Sequence, residues 1–234
     1  MGQRTLHILS GGAAQGLVRK LQPAFESAHG CRLEGSFGAV GAMRDKLLAG
    51  APCDLLILTQ ALIEELASQG HALGPSARPL GPVQTGVAVR QGAPALDVAT
   101  PEGLKRSLEQ AGAVYFPDPS KATAGIHFMK VLAGLGLAGT LAPRLRTFPN
   151  GATAMAAMAQ APEADAVGCT QVTEILFTPG VRLVGLLPKP YELVTLYTAA
   201  ISSRAAEPAL AAELVAALSA AEAAAARRQC GFES

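Results

Sequence analysis

The sequence predicts an α/β protein of two lobes, in which one β/α domain is interrupted by the insertion of another. Short apolar segments alternate with amphipathic helical patterns from the beginning of the chain. Glycine-rich turns follow the first two apolar segments, and two extended runs, residues 81–90 and 191–201, flank the middle of the chain. An inserted domain requires two such crossings, and the pattern therefore predicts a ligand cleft between two lobes, each a mixed sheet flanked by helices.

The first part of the chain consists of repeated strand–helix units. The predicted strands and helices are, in order, residues 5–9, 14–29, 32–37, 40–49, 55–58 and 62–69. Residues 55–58 form a continuous apolar run, as expected of a parallel strand that is covered on both faces. Gly30, Gly50 and Gly70 end the three helical patterns. Pro23 is expected to weaken or kink the first helix.

The second part begins where prolines and glycines precede the first long extended run. The predicted elements are a strand at 83–89, a helix from 100, a strand at 114–116, a helix at 123–135, a helix that begins at Asn150, strands at 166–168 and 181–186, the extended run at 191–201 and a final helix at 207–228. Thr123 and Asn150 have the side chains that commonly cap helix N-termini. Met155 and Met158 have the spacing of residues that pack into a core.

Two glycine-rich turns are the strongest functional signal. Ser10-Gly11-Gly12-Ala13 follows the first apolar run, and Ser36-Phe37-Gly38-Ala39-Val40-Gly41 follows the second. A turn that joins a strand to a helix directs free backbone N–H groups and the positive end of the helix dipole toward one point. Two such turns in one domain predict a site for a small anion that is held largely by the backbone.

Composition excludes several classes of function. The 234 residues are 50% hydrophobic and carry a formal net charge of +1, so there is no electrostatic reason to expect a nucleic-acid partner. No transmembrane run is present, and no membrane insertion is expected. Neither a C-x-x-C pair nor a carboxylate cluster indicates a metal, and no cofactor motif is found. Without a signal peptide the chain as written is expected to be cytoplasmic, or periplasmic if it is a processed form.

Several short motifs resemble one known family. The motifs are Phe37-Gly38 with Gly41, Gly50-Ala51-Pro52-Cys53-Asp54 before an apolar strand, Pro117-Asp118-Pro119 with Thr123 and Gly125, and the ending Cys230-Gly231-Phe232-Glu233. With them, nearly the whole chain resembles the type 2 periplasmic-binding-protein fold, and in particular the molybdate-binding component of bacterial ABC transporters. The resemblance and the extended runs imply one lobe of residues 1–82 with 197–234, a second of residues 83–196, and hinges near 80–86 and 191–198.

The resemblance also implies a ligand site. Its residues are Ser10, Gly11, Gly12, Ala13, Phe37, Gly38, Ala39, Val40, Thr59, Thr123, Ala124, Gly125, Asn150, Gly151, Ala152, Thr170 and Gln171. Molybdate binders have serines near Ala13 and at Ala39 or Val40, and a tyrosine near Gln171. Each donor lost from a buried anion costs roughly 1.5–3 kcal/mol. The sequence therefore favours an organic carboxylate over molybdate, with an ABC transporter permease as the implied partner.

An isomerase on the same scaffold is the alternative. Aconitate isomerase shares this fold, and such an enzyme moves an allylic proton of a tricarboxylate, which requires a base. His127 and Glu174 are the candidate catalytic residues. For both, a structural role is the competing interpretation. Lys121 and Arg146 are further candidates, for pairing with a carboxylate.

Overall fold

The computed structural model describes residues 4–233, which divide into two compact units. Unit 1 runs to Val83 and resumes at Thr195, and unit 2 spans Gln84–Val194. The strands are β1 (Arg4–Gly11), β2 (Cys31–Gly38), β3 (Leu55–Thr59), β4 (Arg78–Arg90), β5 (Val114–Pro117), β6 (Leu145–Phe148), β7 (Val167–Gln171), β8 (Val181–Leu186) and β9 (Val194–Ile201). The helices are α1 (Gln15–His29), α2 (Val40–Leu48), α3 (Gln60–Ser68), α4 (Pro101–Gln110), α5 (Thr123–Gly134), α6 (Ala138–Leu141), α7 (Gly151–Ala159), α8 (Val172–Phe177), α9 (Pro208–Ser219) and α10 (Ala224–Gln229).

The sheet of unit 1 is built around β1. Strand β1 pairs in parallel with both β2 and β3, and β9 pairs antiparallel with β3. The apolar run Leu55–Leu58 is fully buried, as its sequence predicted. Residues from α1, α2, α3 and α9 complete a single core that includes Leu17, Met43 and Leu214.

The sheet of unit 2 mixes both directions of pairing. Strand β4 pairs antiparallel with β7 and β8, whereas β5 pairs in parallel with β6 and β7. Two apolar clusters pack on this sheet, one around Phe116 and Phe128 and one around Met155 and Met158. Both methionines are fully buried, which confirms their predicted packing role.

The end of the chain departs from the prediction of one long helix. Helix α9 ends at Ser219, Ala220 is extended, and a 3-10 turn at Ala221–Ala223 precedes α10. The guanidinium of Arg227 donates to the carbonyls of Leu218 and Ala220, at 2.9 and 2.8 Å. These bonds satisfy carbonyls that a helix end leaves unpaired, so the chain can bend there although its alanines favour a helix.

The remaining differences concern the start of one helix, a proline inside another, the start of a strand and two short elements that were not predicted. Ala122, not Thr123, is the N-cap of α5, and Thr123 is its first helical residue. Pro23 lies inside α1, which continues from Gln15 to His29. The second extended run forms a strand only from Val194 onward. Strand β6 and helix α8 were not predicted, because each is short and has no clear periodicity.

Two bent pairs of helices are long and apolar enough to cross a membrane by length and composition alone. The pairs are Thr123–Gly134 with Ala138–Arg144, and Pro208–Ser219 with Ala221–Gln229. No single helix within residues 4–233 reaches that threshold. Many of the apolar side chains in both pairs belong to the cores of their units.

Candidate functional site

The carboxyl ends of β1, β2 and β3 bring most of the predicted residues of unit 1 to one edge of the sheet. In the parallel ladder Ser10 lies opposite Phe37, and Gly11 lies opposite Gly38. Ser10 also pairs with Ile57, two residues before Thr59 at the end of β3. Parallel α/β sheets bind their ligands at this edge, because the helix N-termini begin there.

The helices that begin at this edge of unit 1 differ in their caps. Helix α2 has Ala39 as its N-cap, and α1 continues a 3-10 turn at Gly12–Ala14 whose N-cap is Gly11, so neither start has a side-chain cap. Helix α3 is capped by Thr59, whose hydroxyl oxygen accepts from the N–H of Leu62 at 3.4 Å. The starts of α1 and α2 therefore retain backbone donors that no side chain of their own cap uses.

The glycine at position 11 is required by close packing. A Cβ there would lie 2.9 Å from Cγ1 of Val40 and 3.0 Å from Cε1 of Tyr197. Tyr197, which the sequence did not single out, is buried and lies opposite Thr59 in the β3–β9 ladder. The hydroxyl of Ser10 donates to the carbonyl of Gly11 at 2.8 Å, so its proton is already used within the strand.

In unit 2 the start of α5 packs against the end of β5. A Cβ at Gly125 would collide with the carbonyl oxygens of Pro117 and Asp118, so only glycine allows this approach. The Asp118 carboxylate accepts from Ser120 and from the N–H of Lys121, and these bonds lower its pKa, with the Ser120 hydroxyl as the largest cause. Ala122 leaves the N-terminus of α5 without a side-chain cap.

The start of α7 is capped as its sequence predicted. Asn150 Oδ1 accepts from the N–H of Thr153 and from its hydroxyl, both at 2.9 Å. The next residue, Gly151, has a different acceptor: its N–H donates to Oε1 of Glu174 at 3.2 Å. A side chain at this position would collide with Oε2 of Glu174 and Oγ1 of Thr170, so glycine is needed here as well.

Glu174 is the central polar residue of unit 2. The hydroxyl of Thr170 donates to Oε2 at 2.6 Å, and the side chain of Glu174 is almost completely buried. Burial raises the pKa of this carboxyl. The bond from Thr170 acts in the opposite direction, as do bonds from three backbone N–H groups, those of Ala152, Gly151 and Gln171. The structure thus joins one catalytic candidate to four predicted ligand-binding residues.

The other catalytic candidate is engaged elsewhere. His127 lies in the second turn of α5, half-buried, with Nε2 2.8 Å from the carbonyl oxygen of Tyr191. Since a carbonyl only accepts, Nε2 carries the proton in this pair. Arg146 is also away from Glu174: its guanidinium donates to the carbonyls of Pro143 and Leu145. In residues 4–233 no group of three His, Cys, Asp or Glu side chains is placed to hold a metal ion.

Two buried hydroxyls of unit 2 were not predicted from the sequence. Thr85 is 1% exposed and lies opposite Gln171 in the β4–β7 ladder. Thr173, 3% exposed, precedes Glu174 on α8. Within the described part of the chain, neither hydroxyl has a hydrogen-bond partner, which is rare for buried polar atoms. Isolated threonines carry no sequence signal, so only the structure identifies them as candidate ligand donors.

Relatives of known function and structure share nearly the whole chain. An aconitate isomerase from Pseudomonas sp is 29% identical over an alignment of 237 positions, which covers 98% of this chain and 87% of the relative. The periplasmic molybdate-binding protein of Azotobacter vinelandii superimposes with a TM-score of 0.80 at 20% identity, covering 98% of this chain and 99% of that chain. The sulfate-binding protein of Mycobacterium tuberculosis H37Rv superimposes with a TM-score of 0.74 at 18% identity, covering 98% of this chain and 86% of that chain.

These similarities confirm the predicted fold class. At such identities the two solved structures show the fold alone, a mixed α/β fold of the periplasmic-binding-protein type. The family is shown by a family model for bacterial extracellular solute-binding proteins, which matches residues 6–233. The chain belongs to this solute-binding family.

Proposed function

We propose that the protein binds a small organic carboxylate as the solute-binding component of an ABC transporter. The observation that carries the proposal is that three helix starts have no side-chain cap: α2 after Ala39, α5 after Ala122, and the 3-10 turn Gly12–Ala14 that leads into α1, after Gly11. Uncapped N–H groups at helix starts favour an anion through both hydrogen bonds and the helix dipole. Units 1 and 2 each contain at least one such helix start.

Small side chains at the predicted site favour a carboxylate over a tetrahedral oxyanion. Ala13 and Ala39 stand where the resemblance implies serines, and Gln171 stands near the position of a tyrosine. Alanine leaves room for a larger ligand. It also has no hydroxyl to replace the hydrogen bonds from water that a compact dianion loses on burial. The family supports a permease as the partner and an extracytoplasmic location, and both are part of this proposal.

Calorimetry on matched variants tests the role of the α2 start. Val40→Pro removes the first N–H of α2, and the extended conformation of Ala39 (φ −60, ψ 136) accepts a following proline. Val40→Ala keeps the N–H and loses the same packing. We expect titration with succinamate, succinate, trans-aconitate, sulfate and molybdate to identify a carboxylate ligand, whose affinity falls roughly tenfold or more in Val40→Pro relative to Val40→Ala. Absence of binding by every anion would refute the proposal.

A second candidate function is isomerisation of a tricarboxylate. The relative named aconitate isomerase favours it, and so does Glu174, a carboxyl whose pKa is raised by burial at the predicted site. In this reaction a base removes a proton from one carbon of the allylic system, and a proton returns to the other end. Proton NMR of trans-aconitate incubated with the protein in D₂O would show deuterium in the isomerised product. An unchanged spectrum at high protein concentration retires this candidate.

A further inference from the structure

The start of α7 is occupied by an anion that belongs to the protein itself. The N–H of Gly151 donates to Oε1 of Glu174 at 3.2 Å, and the backbone N–H groups of Ala152 and Gln171 lie close enough to lower the pKa of this carboxyl. All three residues were predicted to contact the ligand. Since an N–H donates one strong hydrogen bond at a time, that of Gly151 is committed to Glu174.

Thr170 is committed in the same way. Its hydroxyl has one proton, and that proton is donated to Oε2 of Glu174 at 2.6 Å. Thr170 Oγ1 therefore retains only acceptor capacity. Gly151 and Thr170 thus have their protons committed to the carboxyl of Glu174, and the hydroxyls without a partner in this part of residues 4–233 are those of Thr85 and Thr173.

Among residues 4–233, the cations on the elements that pack around Glu174 bond elsewhere, and Arg90 of β4 donates to the carbonyl of Ala161 at 2.6 Å. Helix α7 and strand β7 contain no charged residue, and Glu174 is the one charged residue of α8. Strand β8 carries Arg182, whose guanidinium donates to the carbonyl of Ala93 at 2.7 Å. Glu174 is therefore stabilised by dipoles alone, and in a buried environment its charge acts on neighbouring groups with little screening.

We propose that Glu174 determines the charge specificity of the site: it disfavours a second negative charge and favours a ligand whose second end is a neutral hydrogen-bond donor. This inference rests on the proposed function and assigns the ligand class more closely. Amides, hydroxyls and protonated carboxyls satisfy the requirement, whereas fully ionised dianions such as sulfate and succinate do not. Glu174 acts through Thr170 and the start of α7, and is thus a positioning and specificity residue.

Two nearly isosteric probes separate charge from shape. Succinate carries two carboxylates, whereas succinamate carries one carboxylate and one amide. We expect the wild-type protein to bind succinamate more tightly than succinate. Glu174→Gln removes the charge at nearly constant volume, and its amide can donate to Thr170 Oγ1, which frees the hydroxyl proton for a ligand oxygen. We expect this variant to reduce the succinamate preference by about tenfold or more and to bind sulfate more tightly.

Glu109→Gln is the matched control, because it removes one carboxylate from an exposed position on α4 of the same unit. It is expected to change the succinamate-to-succinate ratio less than twofold, since exposed charges are screened. An equal effect in Glu109→Gln and Glu174→Gln overturns the inference. Should Glu174→Gln fail to fold, Thr170→Val offers the same test: it removes the acceptor and is expected to lower the succinamate preference.

The outcomes distinguish the two proposals. If the wild-type protein binds no carboxylate or oxyanion by calorimetry, the proposed function is wrong. If it binds succinate or succinamate, but Glu174→Gln and Thr170→Val leave their ratio within twofold of wild type, the function stands and the role of Glu174 is wrong.

Discussion

Each of the two units buries one acidic side chain among backbone N–H groups, but the two carboxyls lie at opposite ends of their strands. Asp54 precedes β3, at the amino end of the parallel strands of unit 1. Its Oδ2 accepts from the N–H of His7 at 2.7 Å, and its Oδ1 accepts from those of Ala206 and Glu207 at 2.6 and 3.0 Å. Glu174 follows β7, at the carboxyl end, where ligands of α/β proteins bind.

The two carboxyls share burial and hydrogen bonding, so the contrast between them is one of position in the sheet: Glu174 lies at the end where we propose that the ligand binds, and Asp54 does not. Asp54 joins β1 to the segment that leads into α9, so it links distant parts of unit 1. Glu174 instead links residues predicted to contact the ligand. In unit 1 no carboxylate caps the corresponding starts: α2 follows Ala39, and the 3-10 turn that leads into α1 follows Gly11.

The largest expected effect is the loss of stability in Asp54→Asn. Asp54 accepts hydrogen bonds from three N–H groups. In the variant, the asparagine amide offers these groups only one acceptor oxygen, and the NH₂ group of the asparagine faces an N–H donor. We expect the free energy of unfolding to fall by about 3 kcal/mol or more, measured by urea denaturation. Glu174→Gln is expected to cost less than Asp54→Asn, because burial raises the pKa of Glu174 and so offsets part of what its hydrogen bonds contribute to stability. Equal losses in the two variants would remove the distinction between the carboxyls.

The sequence predicted which residues lie at the carboxyl edge of the sheet better than it predicted the hydrogen bonds there. Apolar runs and glycine-rich turns were sufficient to place Gly11, Gly38 and Asn150 at strand ends and helix starts, because these signals act over a few residues. The carboxyl contacts join residues far apart in sequence: 47 positions separate His7 from Asp54, and 23 separate Gly151 from Glu174. Such pairs depend on strand register, which a single sequence does not specify.

The next largest expected effect is a difference in stability between two threonine variants of unit 2. Thr170→Val removes a hydroxyl that donates to Glu174, and we expect it to lower the free energy of unfolding by about 1.5–3 kcal/mol. Thr85→Val removes a hydroxyl that is buried without a partner among residues 4–233, so stability should stay within about 0.5 kcal/mol or rise. Urea denaturation without ligand measures both.

The same two variants, Thr170→Val and Thr85→Val, also test which hydroxyl donates to the ligand. If the Thr85 hydroxyl donates to the ligand, Thr85→Val weakens binding in calorimetry although it leaves the fold as stable as before. A stability loss in Thr85→Val equal to that of Thr170→Val would mean that the Thr85 hydroxyl has a structural role, and would exclude it as a free donor.

The smallest expected effect is a dependence of stability on pH that Glu174 introduces. Its pKa in the folded protein is raised above the ordinary value of 4.5, so the folded state holds a proton that the unfolded state releases at the same pH. Stability from this group is therefore fully present below pH 4.5 and is lost as the pH rises through the folded pKa. One proton limits the slope to about 1.4 kcal/mol per pH unit. Subtracting the unfolding free energies of Glu174→Gln from those of the wild type across pH 4–8 isolates this contribution from all other groups. We expect the difference to decline with rising pH; a rise would mean that the donors around Glu174 outweigh its burial, and that its charge is a stabilising feature of the fold like that of Asp54.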